Sequence, residues 1–454
     1  MRKLLIFSAI FLLLFGCAAS RYAKRAAKFE DAGLYKDAAE MYYQSVSRNQ
    51  NKVDPKLGLQ RTGQMVLNDM LKDFNKQYEN NNTQDAVYHF IEAKDYFDKL
   101  EAVNITLIFP DKYNAKYTEV KNSYNADKYR EGKEKLSREE FDKAAEIFNE
   151  IITISPNYKD AKELHTTAKF EPLYRQANQM LNVGKHRSAY WVFDAIMTET
   201  NGYKDTYELK IEAQKKANIS ILVPEIIAGS SAIANKVPIT TTQIISTINK
   251  KQNPFITIVD EAAFDKNQLF TENQNYNFNT LDLMGINAIL HIEIDKAYIN
   301  EGKLHVTDKP AYLKIKQEYT DKQGNKKTKT IYNKTQYKAY SQKNTAQVTV
   351  SYKLISTQNG AVLITDSYKK IATDYVEYGR YNGKLNNIVA GYWKDIDKKS
   401  SSDRVEDTYI KNKKLRNFLT ASNKITPAHK LLEQASDEAV AGIVSDLDTF
   451  NPEQ

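Results

Sequence analysis

Small and aromatic residues recur at helical spacing through the first half of this chain, and that recurrence constrains its fold more than any other feature. In Ala26…Gly33-x-Tyr35…Ala38…Tyr42 the small side chains let two helices approach, and the aromatics fill the space between them. The arrangement returns as Gly132…Phe141…Ala144…Phe148…Pro156 and as Ala177…Gly184…Ala189…Phe193, with a fainter copy in Asp85-Ala86-x-x-x-Phe90-x-x-Ala93. Asn157-Tyr158-Lys159-Asp160-Ala161 is echoed 45 residues on by Gly202-Tyr203-Lys204-Asp205-Thr206. No strand signal interrupts the stretch from Tyr22 to about Lys216. An all-α helical repeat domain is expected over residues 21–216.

These spacings resemble the tetratricopeptide repeat, and Pro156 falls where that family ends its second helix. The echo is longer than the family's period of about 34 residues, so extra turns or longer linkers separate the helix pairs. The resemblance implies a concave surface that holds envelope proteins or peptides. Inter-helix packing alone accounts for Ala38, Tyr42, Phe148, Ala189 and Phe193. Trp191 and exposed tyrosines are better candidates for a partner surface, because aromatics concentrate at interfaces.

The period changes at Asn218. Ile219 to Val223 is a β-branched run stopped by Pro224, and Phe255 to Val259 is another. Between them, Thr240 to Lys251 carries Ile244, Ile245 and Ile248 at helical spacing, with Thr240, Thr241 or Thr242 available as a cap. A helix from about Glu261 to Asn273 is expected next, then an apolar stretch from Leu283 to Ile294. Alternation in Val348–Ile355 and Ala361–Ile371, on either side of Gln358-Asn359-Gly360, reads as a hairpin. Leu431, Leu432, Ala435, Ala439, Ile443 and Leu447 lie in register on a closing helix. The expectation for 217–450 is an α/β domain with a mixed sheet and an inserted β-hairpin.

This order resembles the periplasmic domain of the curli secretion channel lipoprotein and its relatives in the TolB-amino-terminal and penicillin-binding-protein-activator group. Three stretches carry the likeness: Ile256-Thr257-Ile258-Val259-Asp260-Glu261, Leu283-Met284-Gly285-Ile286-Asn287-Ala288-Ile289-Leu290, and Val348 through Asp366. Gly285 fits a close backbone approach or a left-handed turn after a helix. The resemblance implies an envelope assembly, secretion or cell-wall role, and it leaves open membership of an oligomeric export pore.

Two segments depart from that group. Residues 303–343 hold 11 lysines against Asp308, Glu318 and Asp321, which equals the net charge of +8 for the whole chain. A hairpin around Lys322-Gln323-Gly324-Asn325 would show Ala311, Leu313, Ile315, Gln317 and Tyr319 with Ile331, Asn333, Thr335, Tyr337 and Ala339 on one face. Gln317, Asn333 and Thr335 interrupt the apolar face that a barrel strand of about 9–11 residues needs. A solvated ribbon whose lysines guard its edge is one reading. Contact with anionic lipid or an acidic glycan through Lys314, Lys316, Lys326, Lys327, Lys329, Lys334 and Lys338 is the other. Residues 374–426 form the second departure, a stretch too long for an idle loop.

Cys17 is the chain's single cysteine and follows Met1-Arg2-Lys3, an apolar run from Leu4 to Phe15, and Gly16. Residues 1–16 read as a secretory signal, too short to span a bilayer. Leu14-Phe15-Gly16-Cys17 resembles the bacterial lipobox, which implies acylation of Cys17, with chains such as palmitate, and anchoring through residues 17–20. An ordinary signal peptide with an incidental cysteine is the plainer alternative. Ala18-Ala19-Ser20-Arg21 lacks the acids of inner-membrane retention or surface export, so an outer-membrane anchor facing the periplasm is expected. Glu139-Glu140 reads as a solvated helix face, and His291-x-Glu293 is a pair without a third partner. No HExxH, P-loop, GxGxxG or GxSxG occurs. The charge distribution is not of the nucleic-acid-binding type. No enzyme, metal or cofactor is expected, and a homo-oligomer stays open.

Overall fold

A computed structural model of the chain describes residues 18–453 apart from 231–232, 234–235, 266–268 and 272–274. The leader and Cys17 lie outside the described residues. Two compact units divide the chain: residues up to 179 with 192–207, and residues 180–191 with 208 onward.

The first unit is helical. Its elements are α1 (18–31), α2 (Tyr35–Arg48), α3 (Val53–Glu79), α4 (Thr83–Glu101), α5 (Asp111–Ser137), α6 (Phe141–Ile154), and the parts up to 179 and from 192 of α7 (Ala161–Asn182) and α8 (His186–Thr200). Successive helices from α2 to α6 pack side by side, as short connections between neighbours require. The residues that set the repeat pattern are the packing residues: Ala26, Ala38, Ala144, Phe148, Ala177 and Phe193 are fully buried, and Tyr42 nearly so. Each buried Phe contributes about 1.5–3 kcal/mol of transfer free energy. Left-handed residues, Asn81 (φ 55°), Asn104 (φ 60°) and Glu139 (φ 59°), end α3, α4 and α5.

The 45-residue echo is reproduced in atomic detail. Tyr129 donates to Asp160 Oδ1 at 2.6 Å, and Tyr174 donates to Asp205 Oδ1 at 2.6 Å. The two tyrosine rings meet Tyr158 and Tyr203 edge-on, each at 5.9 Å. Lys159 and Lys204 sit over them at 4.5 and 4.6 Å. Both lysines adopt left-handed backbone, with φ of 46° and 51°. Each aspartate precedes a helix, so one side chain ties a helix start to a tyrosine of the preceding pair.

The second unit is built on one mixed sheet. After α9 (Thr206–Ala217), most of which belongs here, come β1 (Ile219–Val223), β2 (Ile227–Ala228), α10 (Thr241–Asn249), β3 (Ile256–Asp260), α11 (Phe278–Leu283), β4 (Ala288–Glu301), β5 (His305–Thr320), β6 (Lys326–Ser356), β7 (Val362–Arg380), β8 (Ile388–Val389), β9 (Gly391–Tyr392), β10 (Arg404–Val405), α12 (Tyr409–Leu419) and α13 (Ala428–Thr449). The strands run in the order β3-β1-β4-β6-β5-β8, with β7 also on β6 and β2 on β4. β1 is parallel to β3 and β4, while β4, β5 and β7 are antiparallel to β6. Thr240 caps α10 by accepting from Gln243 N–H at 3.1 Å. Helices α10 and α13 cover one face of the sheet, burying Ile221, Leu290, Ile292, Val348, Val350 and Leu354 against Leu431, Leu432, Ala439 and Ile443. The start of the other face is closed by Leu269, Leu281 and Ile286.

Three expectations are revised. No single helix runs from Glu261 to Asn273: among the described residues there, Glu261–Ala263 form a short 3-10 turn, Leu269 is helical, and Phe270 bridges Tyr276. Asp260 starts that turn by accepting from Ala262 N–H at 3.0 Å. The two hairpins read from sequence share one strand, since β6 pairs with β5 over 326–341 and with β7 over 338–355. The stretch 374–426 is folded, not a long loop: β7 continues to Arg380, and β8, the small β9–β10 sheet and α12 follow. Gly285 has φ 75°, the left-handed turn out of α11.

Candidate functional site: a lysine ribbon and its acidic clasp

The alternation of β5 and the start of β6 sets the faces of the ribbon as expected. Ala311 pairs with Thr335, Leu313 with Asn333 and Ile315 with Ile331 on one face; Tyr312 pairs with Lys334 and Lys314 with Tyr332 on the other. The base of the ribbon is not free. Residues 384–419 fold back on it as a clasp. β8 adds to the edge of β5 at Tyr312 and Leu313, and Lys314 N–H donates to Asn387 O at 2.8 Å. Ala311 is buried with Ile388, Leu415 and Leu419.

Charge fixes the opposite face. Asp407 Oδ2 accepts from Lys314 Nζ at 2.6 Å and from Tyr332 at 2.7 Å, while its Oδ1 accepts from Asn412 Nδ2 at 2.7 Å. The lysine beside it and, next, the tyrosine hydroxyl hold the Asp407 carboxyl below the usual carboxylate range. The same contact raises the Lys314 ammonium and the Tyr332 hydroxyl. Lys334 pairs with Asp403 at 2.7 Å and donates to the carbonyls of Asp395 and Lys398 at 2.6 and 2.5 Å. Lys334, followed by the N–H groups of Ser400 and Lys394, lowers Asp403. Trp393 Nε1 donates to Ala311 O at 2.9 Å and Thr335 O at 3.0 Å, locking the clasp onto both strands. Gly391 passes so close to Tyr312 that a Cβ would lie 2.5 Å from its ring. Arg380 Nη1 reaches the carbonyls of Leu419 and Ala421 at the end of α12, at 3.3 and 3.1 Å.

The seven lysines singled out in the sequence therefore divide. Lys314 and Lys334 are held by the chain's own aspartates. Lys327 pairs with Asp321 at 2.8 Å near the tip, and Lys338 with Asp308 at 3.7 Å. Lys316, Lys326 and Lys329 are exposed and in no ion pair among the described residues. The partners Asp403, Asp407, Trp393 and Asn412 were not foreseen; the signal available was the run of five acids between Asp395 and Asp407, facing a lysine excess elsewhere in the chain.

Elsewhere, Trp191 is half exposed, its ring meeting Phe255 edge-on at 5.9 Å. Glu139 pairs with Arg175 at 2.8 Å, and Glu140 with Lys143 and Lys135. His291 lies opposite Lys353, and Glu293 opposite Ser351. No helix among the described residues is long and apolar enough to cross a membrane.

No protein-family model matches this chain, and no curated protein does. Among solved structures, the lipoprotein GNA1162 of Neisseria meningitidis is 14% identical, aligned over 34% of this chain and 83% of its own, with a TM-score of 0.19. The TPR2AB-domain:pHSP90 complex of yeast Sti1 is 14% identical over 44% of this chain and 99% of its own, with a TM-score of 0.15. Alignments this loose assign neither family nor function.

Proposed function

We propose that this chain is a non-catalytic scaffold of the bacterial envelope, acylated at Cys17, anchored in the outer membrane and facing the periplasm. The observation that carries the reading is the helical array. Its small and aromatic side chains are spent on packing, while Leu57, Met65, Tyr88 and Ile108 stay exposed on the helices and their connections. Repeat arrays of this construction present extended surfaces for partner proteins. On this reading, the helices hold components of an assembly, secretion or cell-wall machine. The α/β domain plays the part that the curli-channel resemblance implies, and the free lysines of the ribbon tip meet anionic lipid or glycan. No reaction is assigned to it.

The second reading is a subunit of an oligomeric export pore. It is favoured by the ribbon, which continues the central sheet as two exposed strands beyond Ile315. The alternation there, with Gln317 beside Tyr319 and Lys327 beside Lys329, gives no continuous lipid-facing band. Planar-bilayer conductance of the purified lipoprotein separates the two readings. The scaffold is expected to give none, and stable, size-selective channels would establish the pore.

A further inference from the structure

The clasp leaves an open groove between the edge of β5 and α12, with a cavity of about 520 Å³ bounded by Lys316, Asn386, Asn387, Asn412 and Arg416. A second hollow of about 340 Å³ continues it along α12, past Lys413 and Asn417, and shares Arg416. Pockets that take small molecules run to about 300–1,000 Å³.

The polar groups of the groove are unevenly spent. Asn412 is buried and each of its polar atoms has a partner: its Nδ2 donates to Asp407 and its Oδ1 accepts from Ala390 N–H at 2.9 Å. Asp407 is neutralised by Lys314. Arg416 is not spent at all. Its Nε is shielded from solvent with no acceptor, and its guanidinium forms no ion pair among the described residues. A shielded donor left without an acceptor is costly, and an arginine fork is shaped for a carboxylate or phosphate. Lys316 and Lys413 flank it, likewise without a carboxylate partner among the described residues. Glu406 is taken by Arg404 at 3.2 Å and Lys411 at 3.5 Å. Glu318, on the ribbon face of Lys316, is exposed and lies outside the groove lining. Lys314 gives its N–H to the clasp, so strand alternation turns the Lys316 N–H to the same outer edge, where β8 has ended.

With Asp407 held by Lys314, three further cations and an edge N–H have no carboxylate partner among the described residues. A phosphate monoester carries about −1.5 to −2 and three strong acceptor oxygens. The flanking Asn386, Asn387 and Asn417 suit hydroxyl groups.

We propose that this groove binds a phosphate ester of a small polyol, with the phosphate on Arg416 and Lys316 and the hydroxyls against the asparagine amides. The ester is either a free monoester or, with a single negative charge and two unesterified oxygens, the phosphodiester headgroup of a lipid. The site differs from the ribbon tip in having walls, so it is selective where the tip is a diffuse charge.

Isothermal titration calorimetry of the full chain carrying Cys17→Ser, with glycerol 3-phosphate at low salt, tests the site. Saturable binding with one ligand per chain is expected, tightening as the pH rises through about 6 where the phosphate loses its second proton. Arg416→Gln should weaken it at least tenfold, Lys316→Gln several-fold, and Arg416→Lys less than Arg416→Gln. Lys326→Gln with Lys329→Gln, at the tip, should leave it unchanged. Sedimentation with phosphatidylglycerol vesicles separates the sources. Vesicle binding lost in Arg416→Gln indicates the headgroup, whereas binding of the soluble ester alone indicates a free molecule. No heat with the ester and no vesicle binding, or wild-type affinity in an Arg416→Gln protein with unchanged thermal unfolding, would overturn the proposal. Weakening by the tip substitutions equal to that by Arg416→Gln would reduce it to the diffuse charge already described.

Discussion

Asp407 receives donors from three elements: Lys314 on β5, Tyr332 on β6 and Asn412 on α12. With Asp403 it is the point at which charge holds the clasp to the ribbon. Both carboxyls lie below their usual range in the folded chain, chiefly because of Lys314 and Lys334. A carboxyl depressed on folding stabilises fully above its unfolded value of about 3.9, and the contribution fades as pH falls through the folded value. The clasp should therefore be indifferent to pH from about 8 to 5 and loosen below about 4. Fluorescence of Trp393, read as the difference from Trp393→Phe, reports it; a transition centred above about pH 6 would contradict the assignment. Asp407→Asn should cost about 1 kcal/mol at neutral pH, since Lys314 keeps partial access to water. Limited proteolysis within 384–407 should quicken. At this scale the packing residues were legible and the site was not. Ala38, Tyr42, Phe148, Ala189 and Phe193 announce themselves by spacing, and all are buried. No local pattern connects an aspartate at 407 to a lysine at 314, because that contact exists only once the chain has doubled back.

The helical elements repeat in their bonding as well as in their packing. Tyr129→Phe and Tyr174→Phe each remove one hydroxyl–carboxylate bond of 2.6 Å from equivalent places. Each should cost about 1 kcal/mol, and the pair should add, since the two bonds share no partner. Thermal unfolding measures it, and strongly unequal or non-additive losses would contradict the equivalence. In the sheet, Asn344 is almost fully buried; its Oδ1 accepts from Gly302 N–H at 3.2 Å and its Nδ2 donates to Thr426 O at 2.9 Å. Asn344→Ala leaves both groups without that partner and should cost about 1–3 kcal/mol in denaturant unfolding. This residue also explains how the sequence misleads. Lys343-Asn344-Thr345 breaks the apolar alternation, so β6 reads as two separate hairpins when it is one strand of 31 residues. The expected helix over 261–273 is interrupted for a related reason: the Asp260 turn and the Phe270–Tyr276 bridge are local bonds that outweigh a weak periodicity at those residues.

For the whole molecule, the change of period at Asn218 foretold a helical array followed by a mixed-sheet domain, and both are present. The partner surface is less legible, because the aromatics that mark interfaces are the same residues that pack repeats. The proposed anchor belongs to this scale too, since it would decide which membrane the helices and the ribbon face. Metabolic labelling with an alkynyl fatty acid, followed by membrane fractionation, tests the central claim most directly. Label on the wild-type protein in the membrane fraction, with an unlabelled Cys17→Ser variant released from it, is the predicted result. A wild-type protein that takes up no label would contradict the account of a lipid-anchored scaffold.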